Sequence, residues 1–137
     1  MAKKSKEFEV EVTEVVDYMK INGQFEPALR KVVVRKIVAE KARKSGLKIT
    51  NQKLQKAADV FRMSLGLTRA SQTAAWLKAN GITVEALETY LETNLLISAL
   101  KDSLLKKAAK TRLYNSKLIK EAAREIVYQR WLKKTIK

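Results

Sequence analysis

The carboxylates that could do chemistry stand closest together in "ITVEALETYLETNLL", where Glu85, Glu88 and Glu92 recur at helical spacing. Side chains three and four residues apart share one helix face. One row of carboxylates on one face reads as a solvated stripe, not as two opposed groups placed for hydrolysis. The chain has no histidine and no cysteine. That removes His-based acid/base catalysis, thiolate nucleophiles, disulfides and the usual zinc ligand sets. No Gly-rich phosphate loop is present among its four glycines. The expectation is a protein without catalytic residues, metal or cofactor.

What remains is charge and apolar pattern. Lysine and arginine total 29 against 14 aspartates and glutamates, a net charge of +15. Residues 21–50 carry 8 basic and 2 acidic side chains, and residues 101–137 carry 12 and 3. Residues 1–20 carry 4 and 5, and residues 71–100 only 1 and 3. Two basic segments therefore flank a slightly acidic middle, a field that attracts acidic partners of any kind. At 46% hydrophobic residues the chain has enough apolar content to fold. No run approaches the ~20 apolar residues of a membrane span. "MAKKSKEFEVEV" lacks the apolar core of a secretory signal, so a cytoplasmic location is expected.

The elements that must position these groups read as helices, since one proline and four glycines leave long stretches unbroken. "EFEVEVTEV" alternates like a strand but has no evident partner, and reads as an extended arm or a helix start. Pro27 suits the first turn of a helix whose stripe is Leu29, Val33, Val34, Ile37 and Val38, stopping at Gly46. Thr50 caps the next helix, with Leu54, Ala57, Ala58, Phe61 and Leu65 inward, and Gly66 ends it. Ser71 is read as the cap of a short helix carrying Ala74, Trp76 and Leu77, closed by Asn80-Gly81. Thr83 caps the longest element, from about Val84 to Ala109, with Leu87, Tyr90, Leu91, Leu95, Leu100, Leu104 and Ala108 as its stripe. After the polar break "KTRLYNS", Ser116 caps a last helix with Ile119, Ala122, Ala123, Ile126, Val127 and Trp131 inward. Five main helices and no stable sheet are predicted, an all-α fold.

The corner from Leu77 through Gly81 to Leu87 has the spacing of a DNA-reading helix-turn-helix. Its second helix would press Glu85, Glu88 and Glu92 against phosphates, so the corner reads as helix packing.

The order "ITNQKLQKAADVFRMSLGL", "AAWLKANGITVEALETYLETNLL" and "YQRWLKKTIK" resembles the helical peptide-binding domain of SurA-type chaperones. The similarity is greatest to the PpiC-type peptidyl-prolyl isomerases of cyanobacteria that carry such a domain. The resemblance implies one compact multi-helix domain over residues 1–137, of the trigger factor/SurA peptide-binding kind. Residues 13–109 would give its N-terminal helices and residues 117–136 a C-terminal helix packed back on them. Residues 110–116 stand where the family inserts a parvulin domain. Parvulin sites use histidine, so isomerase activity does not carry over. The resemblance implies a holdase for apolar segments of unfolded or precursor polypeptides, acidic ones included.

Such a holdase needs an apolar surface with adaptable side chains and a polar rim. Phe61, Met63, Trp76, Tyr90 and Tyr114 are the candidate peptide-binding residues. Phe61 also fits its helix's core stripe, whereas Met63 falls off that stripe and offers a flexible thioether to varied partners. Two other classes stand beside this reading. One is a non-specific nucleic-acid binder using Arg30–Lys44 and Lys101–Lys137 for phosphate contacts. The other is a stable helical scaffold without activity. A monomer and a homodimer swapped through the 110–116 break are both compatible with the sequence, as the break has no proline or glycine to force a turn.

Overall fold

The computed structural model describes residues 2–4, 9–108 and 117–136. Among them are six helices: α1 Val12–Ile21, α2 Phe25–Lys44, α3 Asn51–Ser64, α4 Ala70–Asn80, α5 Val84–Ala108 and α6 Lys117–Thr135. Two three-residue strands precede them, β1 Ala2–Lys4 and β2 Glu9–Glu11. The fold is all-α. The alternating N-terminal segment does find a partner: β2 pairs antiparallel with β1, Lys3 opposite Val10. The chain then enters α1 directly, which makes six helices where five were expected. The partner strand was illegible because "AKK" has no apolar alternation to mark it.

The chain divides into two compact units, Met1–Ile37 and Val38–Lys137, with the boundary inside α2. In the first unit, α1 ends at Asn22-Gly23. Gly23 has φ of +70°, and the Gln24 N–H closes the turn on the Met19 carbonyl at 2.8 Å. A left-handed residue there is cheap only for glycine. The Lys20 ammonium lies 5.1 Å from the centre of the Phe25 ring, at the first residue of α2. No side chain between residues 9 and 37 is buried. Leu29 and Val33, in the predicted stripe of their helix, are 44% and 46% exposed.

The second unit holds the core. Val38 and Ala42 are fully buried, and Leu96 is 1% exposed. The α3 cap is as predicted, with the Lys53 N–H donating to Thr50 Oγ1 at 3.2 Å. The Ala86 N–H likewise donates to Thr83 Oγ1 at 3.0 Å, and Gly81 ends α4 with φ of +64°. The start of α4 differs from the Ser71 reading. Arg69 is the cap residue, and Gln72 Oε1 reaches back to accept from the Thr68 and Arg69 N–H groups at 2.8 and 3.0 Å. A glutamine at the third helical position satisfies those orphan donors without a Ser or Thr cap.

α5 is the central helix and packs against both α3 and α6. Between residues 91 and 105 only Ser98 and Asp102 are exposed. A helix covered on several sides has no single stripe. That is why Leu96, outside the predicted stripe, is the most buried leucine among the described residues, while Tyr90 inside it is 50% exposed. α6 returns antiparallel along α5, setting Lys101 beside Glu125 and Asp102 beside Arg124. Its inward residues are Ala123 and Tyr128, each 7% exposed. Ala122 and Ile126, expected inside, point outward, and Trp131 is half-buried. The Arg124 guanidinium reaches across the α5–α6 seam to Ser98 and Asp102. The connector 110–116, with Tyr114 and Ser116, lies outside the described residues, and nothing is described of the Ile119 side chain.

Candidate peptide-binding surface

Of the candidate residues, Phe61 and Trp76 come together and Met63 stands apart from them. Phe61 on α3 and Trp76 on α4 meet edge to face, ring centres 5.6 Å apart at 74°. This arrangement sets a positive ring edge against a negative face and ties the two helices together. Both rings are half-buried, so their first role is to hold the corner. Met63 follows Phe61 by two residues, a rotation of about 200° around the helix, which sends it to the opposite side of α3. It is 72% exposed, as its departure from the core stripe implies. Val60, three residues before it, is 66% exposed on the same side. The sequence reading missed Val60. Tyr90 is half-exposed on α5, and Tyr114 lies outside the described residues.

Next to Val60, Asp59 accepts hydrogen bonds from the Arg62 guanidinium and from Gln55 Nε2, the latter at 3.0 Å. These donors, Arg62 foremost, hold the Asp59 carboxyl below its ordinary value. The polar border of the Val60–Met63 patch is thus internally neutralised.

A shallow, open hollow of about 360 Å³ lies on the exposed face of α6, lined by Glu125, Ile126, Gln129, Arg130 and Lys133. Ile126, 57% exposed, provides its apolar floor. Glu125 is already engaged, accepting from Lys101 Nζ and from Gln129 Nε2, each at 3.1 Å. These two donors, Gln129 before Lys101, keep its carboxyl below the usual glutamate value. Arg130 and Lys133 form no ion pair among the described residues, so they set the field of the groove. An apolar floor under a cationic rim suits a segment that mixes apolar and acidic side chains. Sequence reasoning missed this groove by counting Ile126 as core. The polar neighbours Glu125 and Gln129 were the available signal.

A second hollow, about 270 Å³, lies among Arg43, Leu47, Lys48, Ile49, Glu92 and Leu96. Arg43 Nη2 bonds Glu92 Oε1 across it at 2.6 Å. Glu92 therefore leaves the solvated row assigned to it with Glu85 and Glu88, and it joins α5 to the end of α2.

Among the described residues, no helix is long and apolar enough to cross a membrane. No protein-family model, curated protein or solved structure matches the chain.

Proposed function

We propose that this chain is a non-catalytic, chaperone-like peptide-binding protein of the cytoplasm. It holds apolar segments of unfolded or precursor polypeptides, with a preference for acidic ones and without a cofactor. The observation that carries the reading is the α6 groove, where exposed Ile126 lies beside Arg130 and Lys133. The Val60–Met63 patch supplies a second apolar contact on another element. The similarity of segment order to SurA-type domains points the same way, and prolyl isomerisation does not follow from it without histidine.

Magnitudes define the mode of binding. Covering one isoleucine contributes roughly 1.5–3 kcal/mol. Two solvent-exposed charge contacts add at most about 1 kcal/mol each. Their sum is near the roughly 4 kcal/mol of a millimolar complex. One groove therefore holds a segment only transiently, and useful affinity comes from several patches engaging one flexible chain.

The nucleic-acid reading is weakened by pairings within its proposed contact segments. Arg43 is held by Glu92, Lys44 by Glu40, Arg124 by Asp102, and Lys101 lies between Glu125 and the Tyr128 ring. The test is a fluorescence-anisotropy titration with a labelled unfolded polypeptide and with duplex DNA, each at low and high salt. Polypeptide binding that persists when DNA binding is lost at high salt supports the proposal. Binding of DNA alone overturns it.

A further inference from the structure

The first unit presents a surface opposite in charge to the groove. Residues 9–26 contain Glu9, Glu11, Glu14, Asp17 and Glu26 against Lys20 alone, on a chain that is otherwise strongly basic. Within α1, Glu14, Asp17, Tyr18 and Ile21 occupy positions i, i+3, i+4 and i+7 and so share one face. Tyr18 is 64% exposed and Ile21 84% exposed, while Val16 and Met19 on the other face are half-buried. Neither Glu14 nor Asp17 has an ion-pair partner among the described residues. An i, i+3, i+4, i+7 set is the pattern by which an amphipathic helix enters a groove.

We infer that α1 of one copy docks in the α6 groove of a second copy of this chain. The inference rests on the groove reading of the proposed function. The two surfaces fit in length as well as sign. From Glu14 to Ile21 is about 10 Å along the helix axis, and from Glu125 to Lys133 about 12 Å. Glu14 and Asp17 are three residues apart, as are Arg130 and Lys133, so both pairs repeat at about 4.5 Å. Ile21 and Tyr18 supply the apolar matter to cover Ile126. Two copies each carrying +15 repel at long range, but at physiological salt that field is screened beyond about 8 Å, and contact pairs survive it. Self-docking would also occupy the groove with a segment of client-like chemistry, so client binding and assembly compete.

Sedimentation velocity at physiological salt, across a range of concentrations, is the test. The wild-type chain is expected to associate. Glu14→Lys with Asp17→Lys, and separately Arg130→Glu with Lys133→Glu, are each expected to weaken association at least tenfold. An equal mixture of the two double variants should associate again, because each then meets a surface of opposite sign. All four positions are at the surface, and circular dichroism checks that both variants fold. Ile21→Ser gives a charge-independent second handle and should weaken association too. A wild-type chain that stays monomeric, reversals that leave association unchanged, or a mixture that stays apart overturns the inference. Labelled-client titrations separate the two readings. If Glu14→Lys/Asp17→Lys still binds client although the wild type never associates, self-docking alone fails. If Arg130→Glu/Lys133→Glu binds client as tightly as the wild type, the groove reading itself is wrong.

Discussion

Arg124 of α6 reaches across to α5, donating from Nε to Asp102 Oδ1 at 2.6 Å. Its Nη2 donates to Ser98 Oγ at 2.7 Å and to the Ser98 carbonyl at 3.1 Å. One side chain thus makes three bonds over the seam between the last two helices. Asp102 is 68% exposed at its side chain, so the ion pair itself is worth little. The Arg124 side chain as a whole is 28% exposed, so it is better covered than its carboxylate partner.

Arg124→Leu is therefore expected to cost about 1–2 kcal/mol, the scale of a lost charge-assisted hydrogen bond. That corresponds to a melting temperature lower by several degrees for a chain of this size. Asp102→Asn should cost less than half as much. Thermal melts of the two variants check the order, and a larger loss from Asp102→Asn would refute it.

Acid should loosen the same seam. Gln129 and Lys101 hold the Glu125 carboxyl below its ordinary value of 4.5. A depressed folded-state value means the unfolded chain takes up the proton first as pH falls. The contribution is complete above the unfolded value and fades as pH drops from about there through the folded value. Because Glu125 is about half exposed, the effect is small. Melting curves from neutral pH downward should show a slightly steeper decline for the wild type than for Glu125→Gln, and parallel curves would remove Glu125 from the account.

The parts legible in the sequence were those with local causes. Thr50, Thr83 and Gly81 cap or stop helices by bonds to residues three or four away, and their types announce it. The exposure of Met63 followed from helical phase. What the sequence hid depends on partners remote in the chain. Arg124 reads as one more surface cation until Ser98 and Asp102 are known to face it. Ile126, counted inward by its spacing, is 57% exposed and lines a hollow where a packing stripe was expected. Glu92 likewise reads as solvated until Arg43, 49 residues earlier, meets it. α5 misled for a third reason: a helix covered on several sides erases the periodicity that would place its neighbours.

Two apolar substitutions should separate core from surface. Leu96→Ala, at 1% exposure, is expected to cost about 2–5 kcal/mol through lost transfer energy and the cavity left behind. Ile126→Ser, at 57% exposure, should stay within about 0.5 kcal/mol of the wild type while weakening client binding severalfold. Chemical denaturation measures the first quantity for both, and client titration the second. A strongly destabilised Ile126→Ser would return that residue to the core and dissolve the groove.

The last expectation concerns α6 as a whole. Its inward side chains, Ala123 and Tyr128, are each 7% exposed, and α6 packs on α5. Tyr128 is stacked with Trp131 at 6.4 Å between ring centres, and the Lys101 ammonium lies 4.6 Å from the centre of the Tyr128 ring. Removing α6 uncovers the α5 face it packs on and leaves Lys101 and Asp102 without their partners. Each large apolar side chain returned to water costs roughly 1.5–3 kcal/mol, against a typical domain stability of about 5–15 kcal/mol. Truncation after Lys110 should therefore lower the melting temperature by well over ten degrees or abolish cooperative unfolding. Adding residues 111–137 back as a separate peptide should partly restore it, since the described bonds across the seam join α5 to α6 directly. A truncated chain that melts at the wild-type temperature would make α6 an appendage, and the groove on its outer face would then belong to a helix the fold does not hold.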